Sequence, residues 1–349
     1  MSEVTLTENA ELQKITLLSL VDFSRRPQQI LTRAMNWAEF SVQHQLPLVI
    51  GHSHRKSKAD QKFLQKIQEY QPLVRVVSVE AESPLPNLAG LRNAGFSLVN
   101  TPLLALMDID IYPDLALVQG LLFLMKRQGA RCAMAPCLYL SEKGSKEIRK
   151  YADSKVLWKK YLNFHSAQFM HLAMPSSVIL LHAEDYSKIG GFDEEYQGHG
   201  FEDFDFMVRL WSGSIELSKS DISTNDPYRA PMLGYGFRGR LARLCYQSLI
   251  NDVIAMHIYH PSEKKEKYYQ ARINNFDLFK KKVDEFSEVC GTLAFHQIPE
   301  NLKNFIQCCD ENKVNPEKFQ KLFDATPAHM RDKYSFHRIL KKLKNKFSI

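Results

Sequence analysis

The sequence lacks the marks of several protein classes. Its longest apolar run, Leu115 to Met125, is interrupted by Gln119 and Gly120 and is too short to span a membrane. The first residues carry three glutamates and no basic start, so we expect no secretory signal and a cytoplasmic protein. Six cysteines form no CxxC pair and no zinc-type spacing, which indicates reduced thiols. The 349 residues therefore predict one large globular domain with a smaller appendage.

The net positive charge of the chain is concentrated at its end. The formal net charge is +7, and residues 331–349 alone hold seven Lys or Arg and one Asp. The other 330 residues are therefore nearly neutral, at about +1. A nucleic-acid binder would more often carry a basic face on its body. We therefore expect no nucleic-acid partner.

The basic tail has the pattern of an amphipathic helix. Phe336, Ile339, Leu340 and Leu343 recur at helical spacing, and basic residues fill much of the remaining turn. Such a helix suits the surface of an anionic bilayer, which predicts a peripheral protein at the inner face of the plasma membrane. Alternatively, the apolar stripe packs on the protein's own body and the lysines are only solvated.

Short apolar runs alternate with amphipathic stretches along the first half of the chain. The pattern predicts strands at Ile15–Val21, Leu46–Ile50, Val74–Val79, Leu103–Ile111, Cys132–Leu140 and Val178–Leu181. It predicts helices at Pro27–Phe40, Lys58–Tyr70, Leu88–Val99, Pro113–Gln128 and Asp203–Trp211. Apolar strands separated by helices are typical of a parallel sheet covered on both faces, which binds ligands beyond its carboxyl ends.

Two further segments complete the predicted organisation. The Lys-rich stretch Ser141–Lys160 is interpreted as a flexible insertion or lid. From residue 263 onward the chain is charged and strand-poor, with helical patterning. We therefore predict an α/β domain over residues 1–262 and a helical C-terminal region over 263–349.

Two carboxylates are predicted at the end of the fourth strand. Alternation along an extended chain would point Asp108 and Asp110 to the same side. Two acids at the carboxyl end of a buried strand suit a hard divalent cation, whose other ligands can be diphosphate oxygens. Acids at a strand exit are also common as turn and cap residues, so this DxD motif alone leaves both interpretations open.

A second motif joins glycine turns to acidic residues. Four glycines within 190–200 imply tight turns and close approach of the backbone to something bound. Glu202, Asp203 and Asp205 then begin a predicted helix, whose dipole favours acids there without any function. The helix dipole accounts for one or two of these acids. Three acids directly after two glycine turns favour a binding site.

Two histidines form the third cluster. His257 and His260 are three residues apart and can meet on one side of a turn, where imidazole nitrogens would bind a metal. A histidine near an apolar run is more often a core residue, so the pair by itself leaves this interpretation open. Together with Asp108 and Asp110, it predicts a metal site.

These motifs together resemble the GT-A glycosyltransferases over roughly residues 15–275. Gly190 to Leu210 is similar to the galactosyltransferase carboxy-terminal motif of β-1,4-galactosyltransferases, polypeptide N-acetylgalactosaminyltransferases and bacterial chondroitin-type capsule polymerases. The resemblance implies an α/β, GT-A nucleotide-sugar transferase fold, Rossmann-like with a mostly parallel sheet, before the smaller C-terminal helical region. It also implies an inverting hexosyltransferase that requires Mn²⁺ or Mg²⁺ and takes a UDP-sugar donor.

The resemblance assigns the chemical roles residue by residue. Asp110 would bind the metal, with His260 and His257 as further ligands. Asp203 would be the catalytic base, and Glu202 would help to hold the acceptor sugar.

Other positions would contact the substrates by the same resemblance. Asp108 would meet the donor ribose or a metal-bound water, and Arg25, Arg92 and Asn93 would contact the nucleotide. His199 would face donor and acceptor, where the galactosyltransferases have a tryptophan, so the donor sugar is left open.

The resemblance also limits the reaction. The bacterial polymerases carry two transferase modules and this chain has motifs for one, so we expect a single linkage. The family's associations imply bacterial capsule or surface polysaccharide synthesis, with a glycan or lipid-linked glycan as acceptor. An alternative is a non-catalytic GT-A-like module that binds nucleotide sugar or glycan within an assembly complex. Such a module would need no base, which favours the enzyme.

Overall fold

A computed structural model describes residues 10–151, 153–211, 232, 236–261, 267–287 and 297–324. The basic tail lies outside the described residues, so its amphipathic helix stays a prediction. No helix among the described residues combines the length and the apolar character needed to cross a bilayer.

The described strands form two sheets. They are β1 (Ile15–Asp22), β2 (Leu48–His54), β3 (Val74–Glu80), β4 (Leu103–Leu106), β5 (Cys132–Met134), β6 (Cys137–Leu140), β7 (Phe169–Ala173), β8 (Ile179–His182) and β9 (Ala255–His257). The larger sheet has the order β3-β2-β1-β4-β8-β5, and the smaller has β7-β6-β9. In the larger sheet β1 to β4 pair in parallel and β8 runs antiparallel to both of its neighbours. The predicted α/β fold with a mostly parallel sheet is confirmed.

Helices connect these strands and continue beyond them. The described helices are α1 (Pro27–His44), α2 (Lys58–Ile67), α3 (Leu88–Phe96), α4 (Leu115–Gln128), α5 (Glu142–Ile148), α6 (Lys155–Leu162), α7 (Ala183–Lys188), α8 (Glu202–Leu210), α9 (Gly236–Ala242), α10 (Tyr246–Ile250), α11 (Lys267–Ser287) and α12 (Gln297–Glu311). Short 3₁₀ turns occur at Gln68–Tyr70, Arg243–Cys245 and Pro316–Phe323.

Helices cover both faces of the larger sheet. Leu17 of β1 packs in one core cluster with Trp37 of α1, and Leu18 packs in another with Phe206 of α8. Because successive side chains of a strand point to opposite faces, β1 is buried on both sides. This double burial explains why the first strands read as continuous apolar runs.

Two glycines let α3 lie close against the sheet. A Cβ atom on Gly51 of β2 would lie 2.4 Å from the Leu91 carbonyl oxygen of α3. A Cβ atom on Gly95 of α3 would lie 2.5 Å from Cδ1 of Leu18 in β1. α3 can approach the sheet this closely only because glycine has no side chain. The approach fixes the position of Leu91 and therefore of Arg92, the residue after it.

The DxD motif lies on a turn and not on a strand. β4 ends two residues before Asp108, and the Ile111 N–H closes the turn by donating to the Asp108 carbonyl at 2.9 Å. The expected alternation of the two carboxylates along a strand is therefore wrong. Backbone contacts with the end of β9 hold the turn instead. Ile258 N–H donates to the Asp110 carbonyl at 2.8 Å, and Ile111 forms an isolated antiparallel β-bridge with His257.

The strand expected over Cys132–Leu140 is divided. Ala135 and Pro136 separate β5 from β6, and the two strands belong to different sheets. Proline has no N–H to donate, so a continuous ladder through this point is disfavoured.

The expected flexible insertion at Ser141–Lys160 is also wrong. This stretch forms α5 and most of α6, and Leu157 and Trp158 are buried in a third core cluster with Phe305 of α12. The apolar positions of α6 recur one turn apart, which the abundance of lysine obscured.

Two helices of the C-terminal region pack on the α/β body. Phe279 of α11 shares a core cluster with Phe206 of α8, and Phe305 of α12 packs beside α6. The domain boundary after residue 262 stays a prediction.

The close packing of α3 predicts a sensitive position. Gly51→Ala should lower the free energy of unfolding by about 3 kcal/mol, because the new methyl group meets backbone that cannot rotate away. Chemical denaturation measures the loss. Gly129→Ala is the control: its Cβ would meet nothing within 4 Å, and only its φ of 59° costs stability, by about 1 kcal/mol. An equal or smaller loss at Gly51 would contradict the packing argument.

Candidate active site

A cavity of about 870 Å³ opens beyond the carboxyl ends of β1 and β4. An open parallel sheet binds its ligands at this position. Nine of the ten predicted site residues line the cavity: Arg25, Arg92, Asp108, Asp110, His199, Glu202, Asp203, His257 and His260. Asn93 is not among the lining residues.

Three predicted metal ligands converge at one end of the cavity. Asp110, His257 and His260 each offer one ligand atom, and these atoms all lie within 4.8 Å of one another. His260 Nε2 lies 3.3 Å from Asp110 Oδ2. The ring of His257 stacks on Tyr139, with 4.1 Å between the centroids, which fixes the orientation of the imidazole.

Both histidines are held in the form that binds metals. Burial, together with the neighbouring His260, lowers the pKa of His257 to about 3. Burial and the charge of Arg26 lower the pKa of His260 to about 4. Neutral imidazoles keep a nitrogen lone pair for ligation, and two nitrogens with one carboxylate suit Mn²⁺ better than the oxygen-preferring Mg²⁺. The side chains present therefore fit a divalent transition metal.

Two arginines that the sequence analysis did not single out reach the same carboxylate. Arg26 Nη2 lies 3.0 Å from Asp110 Oδ2, and Arg33 Nη1 contacts Asp110 Oδ1. Arg33 also donates to the Tyr259 carbonyl at 2.9 Å, beside the histidine pair. Arg26 lies in the short loop between β1 and α1, next to the predicted Arg25, and this position was the available signal for it. Arg33 lies inside α1 and gave no signal.

One buried arginine gathers three acids in the same cavity. Arg92 lies 3.2 Å from Asp108, 3.3 Å from Asp203 and 3.6 Å from Glu202, measured from guanidinium nitrogen to carboxylate oxygen. Ser177 donates to the second oxygen of Asp108 at 2.7 Å. Arg92 was expected to contact nucleotide, and the structure places it against the acids.

The two acids at the start of α8 differ in their access to solvent, and the pKa of each is raised. The side chain of Asp203 is 28% exposed, whereas that of Glu202 is 5% exposed. Burial and the adjacent Glu202 raise the pKa of Asp203 to about 8, although Arg92 opposes the shift. Burial raises the pKa of Glu202 as well. Asp203 is thus the more accessible acid, and its raised pKa suits a proton acceptor near neutral pH.

The glycine-rich segment before α8 is a pair of turns fixed by side chains. Gly190, Gly191, Gly198 and Gly200 all have positive φ, at 74°, 71°, 71° and 91°. Asp205, the third acid of the motif, pairs with Arg209 at 2.7 Å. Arg209 donates in turn to the carbonyl oxygens of Ile189 and Gly191, both at 2.7 Å. The role of Asp205 here is structural.

Asn93 holds this loop from the neighbouring helix. Its side-chain nitrogen donates to the Phe192 carbonyl and to Glu194 Oε1, both at 2.8 Å. Its side-chain oxygen accepts from the Phe192 N–H at 2.9 Å and from the Tyr186 hydroxyl at 2.7 Å. These contacts and its place outside the cavity lining favour a structural role over the expected nucleotide contact.

His199 and Arg25 both contact the ring of Tyr268. The His199 and Tyr268 ring centroids are 5.4 Å apart, and the Arg25 guanidinium carbon lies 4.5 Å from the Tyr268 centroid. Burial and the charge of Arg272 lower the pKa of His199 to about 4, so its ring is neutral. Tyr268 and Arg272 belong to α11 and lie outside the three motifs, so neither was predicted from the sequence.

Solved structures resemble this chain at low identity. The catalytic domain of Drosophila β1,4-galactosyltransferase 7 in complex with xylobiose has 16% identity and a TM-score of 0.31, covering 58% of this chain and 63% of that one. A mutant of that enzyme with manganese, UDP-Gal and xylobiose has 16% identity and a TM-score of 0.30 over the same shares. S. aureus TarS has 11% identity and a TM-score of 0.36, covering 85% of this chain and 81% of that one.

This chain thus spans less than two thirds of the galactosyltransferase chains that it resembles. No curated protein matches the sequence. Residues 48–284, which are more than half of the chain, match the family described as glycosyltransferase like family 2. The chain therefore belongs to glycosyltransferase-like family 2, and the glycosyltransferase class expected from its motifs is confirmed.

Proposed function

We propose that the protein is a metal-dependent inverting glycosyltransferase that moves one hexose or N-acetylhexosamine from a UDP-sugar to a glycan hydroxyl. One observation carries the proposal. The accessible acid with a raised pKa, Asp203, lines the same cavity as the convergent cluster of Asp110, His257 and His260. A base and a metal cluster in one cavity are the two parts that such a transfer needs.

The donor side of the proposed site is the Asp110 end of the cavity. A divalent metal held by Asp110, His257 and His260 would supply a Lewis acid for the negative charge of the departing diphosphate. Arg26 and Arg33 lie beside this cluster, and guanidinium groups bind phosphate oxygens in bidentate geometry. Arg25, Arg92 and Asp108 remain candidates for nucleotide contacts because they line the same cavity.

The acceptor side is the Asp203 end. As the acceptor oxygen attacks the anomeric carbon, the bond from that carbon to the diphosphate breaks, and Asp203 takes the hydroxyl proton. Attack opposite the leaving group inverts the anomeric centre. Glu202 and His199 line the cavity next to this acid, where they would hold the acceptor.

The setting rests on the resemblance of the motifs. We propose a single linkage in bacterial capsule or surface polysaccharide, made on the cytoplasmic side of the plasma membrane on a glycan or lipid-linked glycan. The second candidate, a non-catalytic module that binds nucleotide sugar or glycan, is disfavoured because binding alone does not need an acid with a raised pKa. Metal-dependent hydrolysis across a panel of nucleotide sugars separates the two functions.

The metal cluster predicts loss of both binding and turnover. Loss of a residue that only hydrogen-bonds to a metal ligand lowers activity by ~10–100-fold. Asp110→Ala and His260→Ala each remove a proposed ligand itself and should therefore lower turnover by more than that. Both should weaken Mn²⁺ binding in titration calorimetry, because each removes one of three converging ligands. Mn²⁺ should support activity better than Ca²⁺, since imidazole nitrogens suit transition metals.

His165→Ala is the matched control, because this histidine is exposed and does not line the cavity. It should bind Mn²⁺ and turn over like the parent. Full activity of the parent protein in excess metal chelator would contradict the hypothesis that the reaction needs a metal.

The acid with the raised pKa predicts a pH profile. In the parent, kcat/KM should rise with pH up to about 8, because only deprotonated Asp203 accepts a proton. Asp203→Asn should lower turnover by ~10²–10⁴-fold and remove this rise, with little change in UDP affinity. Glu195→Gln is the control, since this acid of the same motif is exposed. A parental profile in Asp203→Asn would show that another group is the base.

The tail predicts binding to anionic membranes. The full chain should sediment with anionic vesicles at low salt, and a chain ending at Tyr334 should not. Each basic residue near such a surface contributes about 1 kcal/mol. Equal sedimentation of both forms, or of neither, would leave the tail with the alternative role of packing on the protein.

A further inference from the structure

Arg272 stands in the wall of the cavity beside the acceptor end. It projects from α11, and its guanidinium carbon lies 4.7 Å from the centroid of the Phe201 ring. A Cβ atom added to Gly200 would lie 2.3 Å from Arg272 Nη1, so the guanidinium rests directly on this glycine turn. Gly200 and Phe201 immediately precede Glu202 and Asp203. Arg272 therefore adjoins the proposed base and not the Asp110 cluster.

The charge of Arg272 is not matched by an ion pair. Within the described part of the chain, no carboxylate lies in salt-bridge distance of its guanidinium, and no hydrogen bond involves it. Glu202 and Asp203 act on it only as nearby charges, and both are already paired with Arg92. Burial nevertheless lowers the pKa of Arg272, which shows that its charge is partly removed from water. A desolvated cation without a carboxylate is costly unless a ligand supplies the anion.

Two further arginines of the cavity wall lie over aromatic rings. Arg238 lies over the ring of Phe204, with 5.2 Å from guanidinium carbon to centroid, and both residues line the cavity. Arg25 lies over Tyr268, and both of these residues line the cavity as well. A flat guanidinium group that rests on an aromatic ring is held in place, and Arg272 on Phe201 can still present its edge to a ligand.

We propose that Arg272 binds an anionic group, a carboxylate or a phosphate, on the acceptor sugar next to Asp203. The inference rests on the proposed function, because it takes the Asp203 end of the cavity as the acceptor side. Guanidinium edges match carboxylate and phosphate oxygens in bidentate geometry, and a partly buried site strengthens such charge-assisted bonds. The enzyme would thus select an acidic acceptor glycan over its neutral counterpart.

Three probes that differ only at carbon 6 test the preference. They are methyl β-glucoside, methyl β-glucuronide and methyl β-glucoside 6-phosphate, titrated by ligand-observed NMR onto the full chain with Mn²⁺ and UDP. At least one anionic probe should bind at least about tenfold more tightly than the neutral one. In Arg272→Gln the preference should fall below twofold, and Arg272→Lys should keep part of it because it keeps the charge but loses the bidentate edge.

Lys281→Gln is the matched control, since it removes one positive charge from an exposed position of the same helix. It should keep the full preference. Parental melting temperatures and parental affinities for UDP and Mn²⁺ would establish that the variants are folded. If Arg272→Gln does not fold, the preference is measured in Arg272→Lys instead.

Two outcomes would overturn the proposal. One is the absence of any preference for the anionic probes in the parent, including no binding by any probe. The other is a preference that survives in both Arg272 variants. If the first outcome is found together with a preference for UDP-glucuronic acid over UDP-glucose, the anion belongs to the donor and not to the acceptor. The assay needs no turnover and can be repeated without metal, so failure of the proposed catalysis stays distinguishable from failure of this inference.

Discussion

The site depends on the buried ion cluster around Arg92. Asp108 comes from the turn after β4, and Glu202 and Asp203 come from the start of α8, so one guanidinium joins segments that are about a hundred residues apart. A buried arginine would be unstable alone, and so would three adjacent carboxylates, but together they offset much of the cost of leaving water. Arg92 also lies over Phe192, with 4.6 Å to the ring centroid, which ties the glycine-rich loop to the same point.

Backbone packing sets the position of this cluster. Gly51 faces the carbonyl of Leu91, the residue before Arg92, and Gly95 faces Leu18 one turn later in α3. The helix can approach the sheet this closely only because neither glycine has a side chain. The close packing of α3 on the sheet therefore sets the position of the Arg92 guanidinium. Through Arg92 it also sets the environment of Asp203, the proposed base.

The sequence predicts what local pattern encodes. Continuous apolar strands predict the parallel sheet, and the acids, glycines and histidines predict most of the cavity lining. It does not predict that the DxD lies on a turn, because that turn is held by pairing with His257, nearly 150 residues later. Arg33 and Arg272 lie inside ordinary helices, where an arginine at a surface position and one facing a cavity look alike. Their positions depend on tertiary contacts, which the spacing of residues along the sequence does not indicate.

The distribution of cations around the cavity explains how the pKa of Asp203, the proposed base, can be raised. An acid next to a free arginine has a lowered pKa, and this cavity is rich in arginine. Arg26 and Arg33 are bound to Asp110 at the other end, and Arg92 is shared among three carboxylates. One guanidinium divided among three acids compensates none of them fully, and Arg272 acts on Asp203 only as a nearby charge. Burial and the adjacent Glu202 therefore outweigh both arginines and raise the pKa of Asp203. Pairing Asp203 alone with an arginine would make the site more stable and the acid a weaker base.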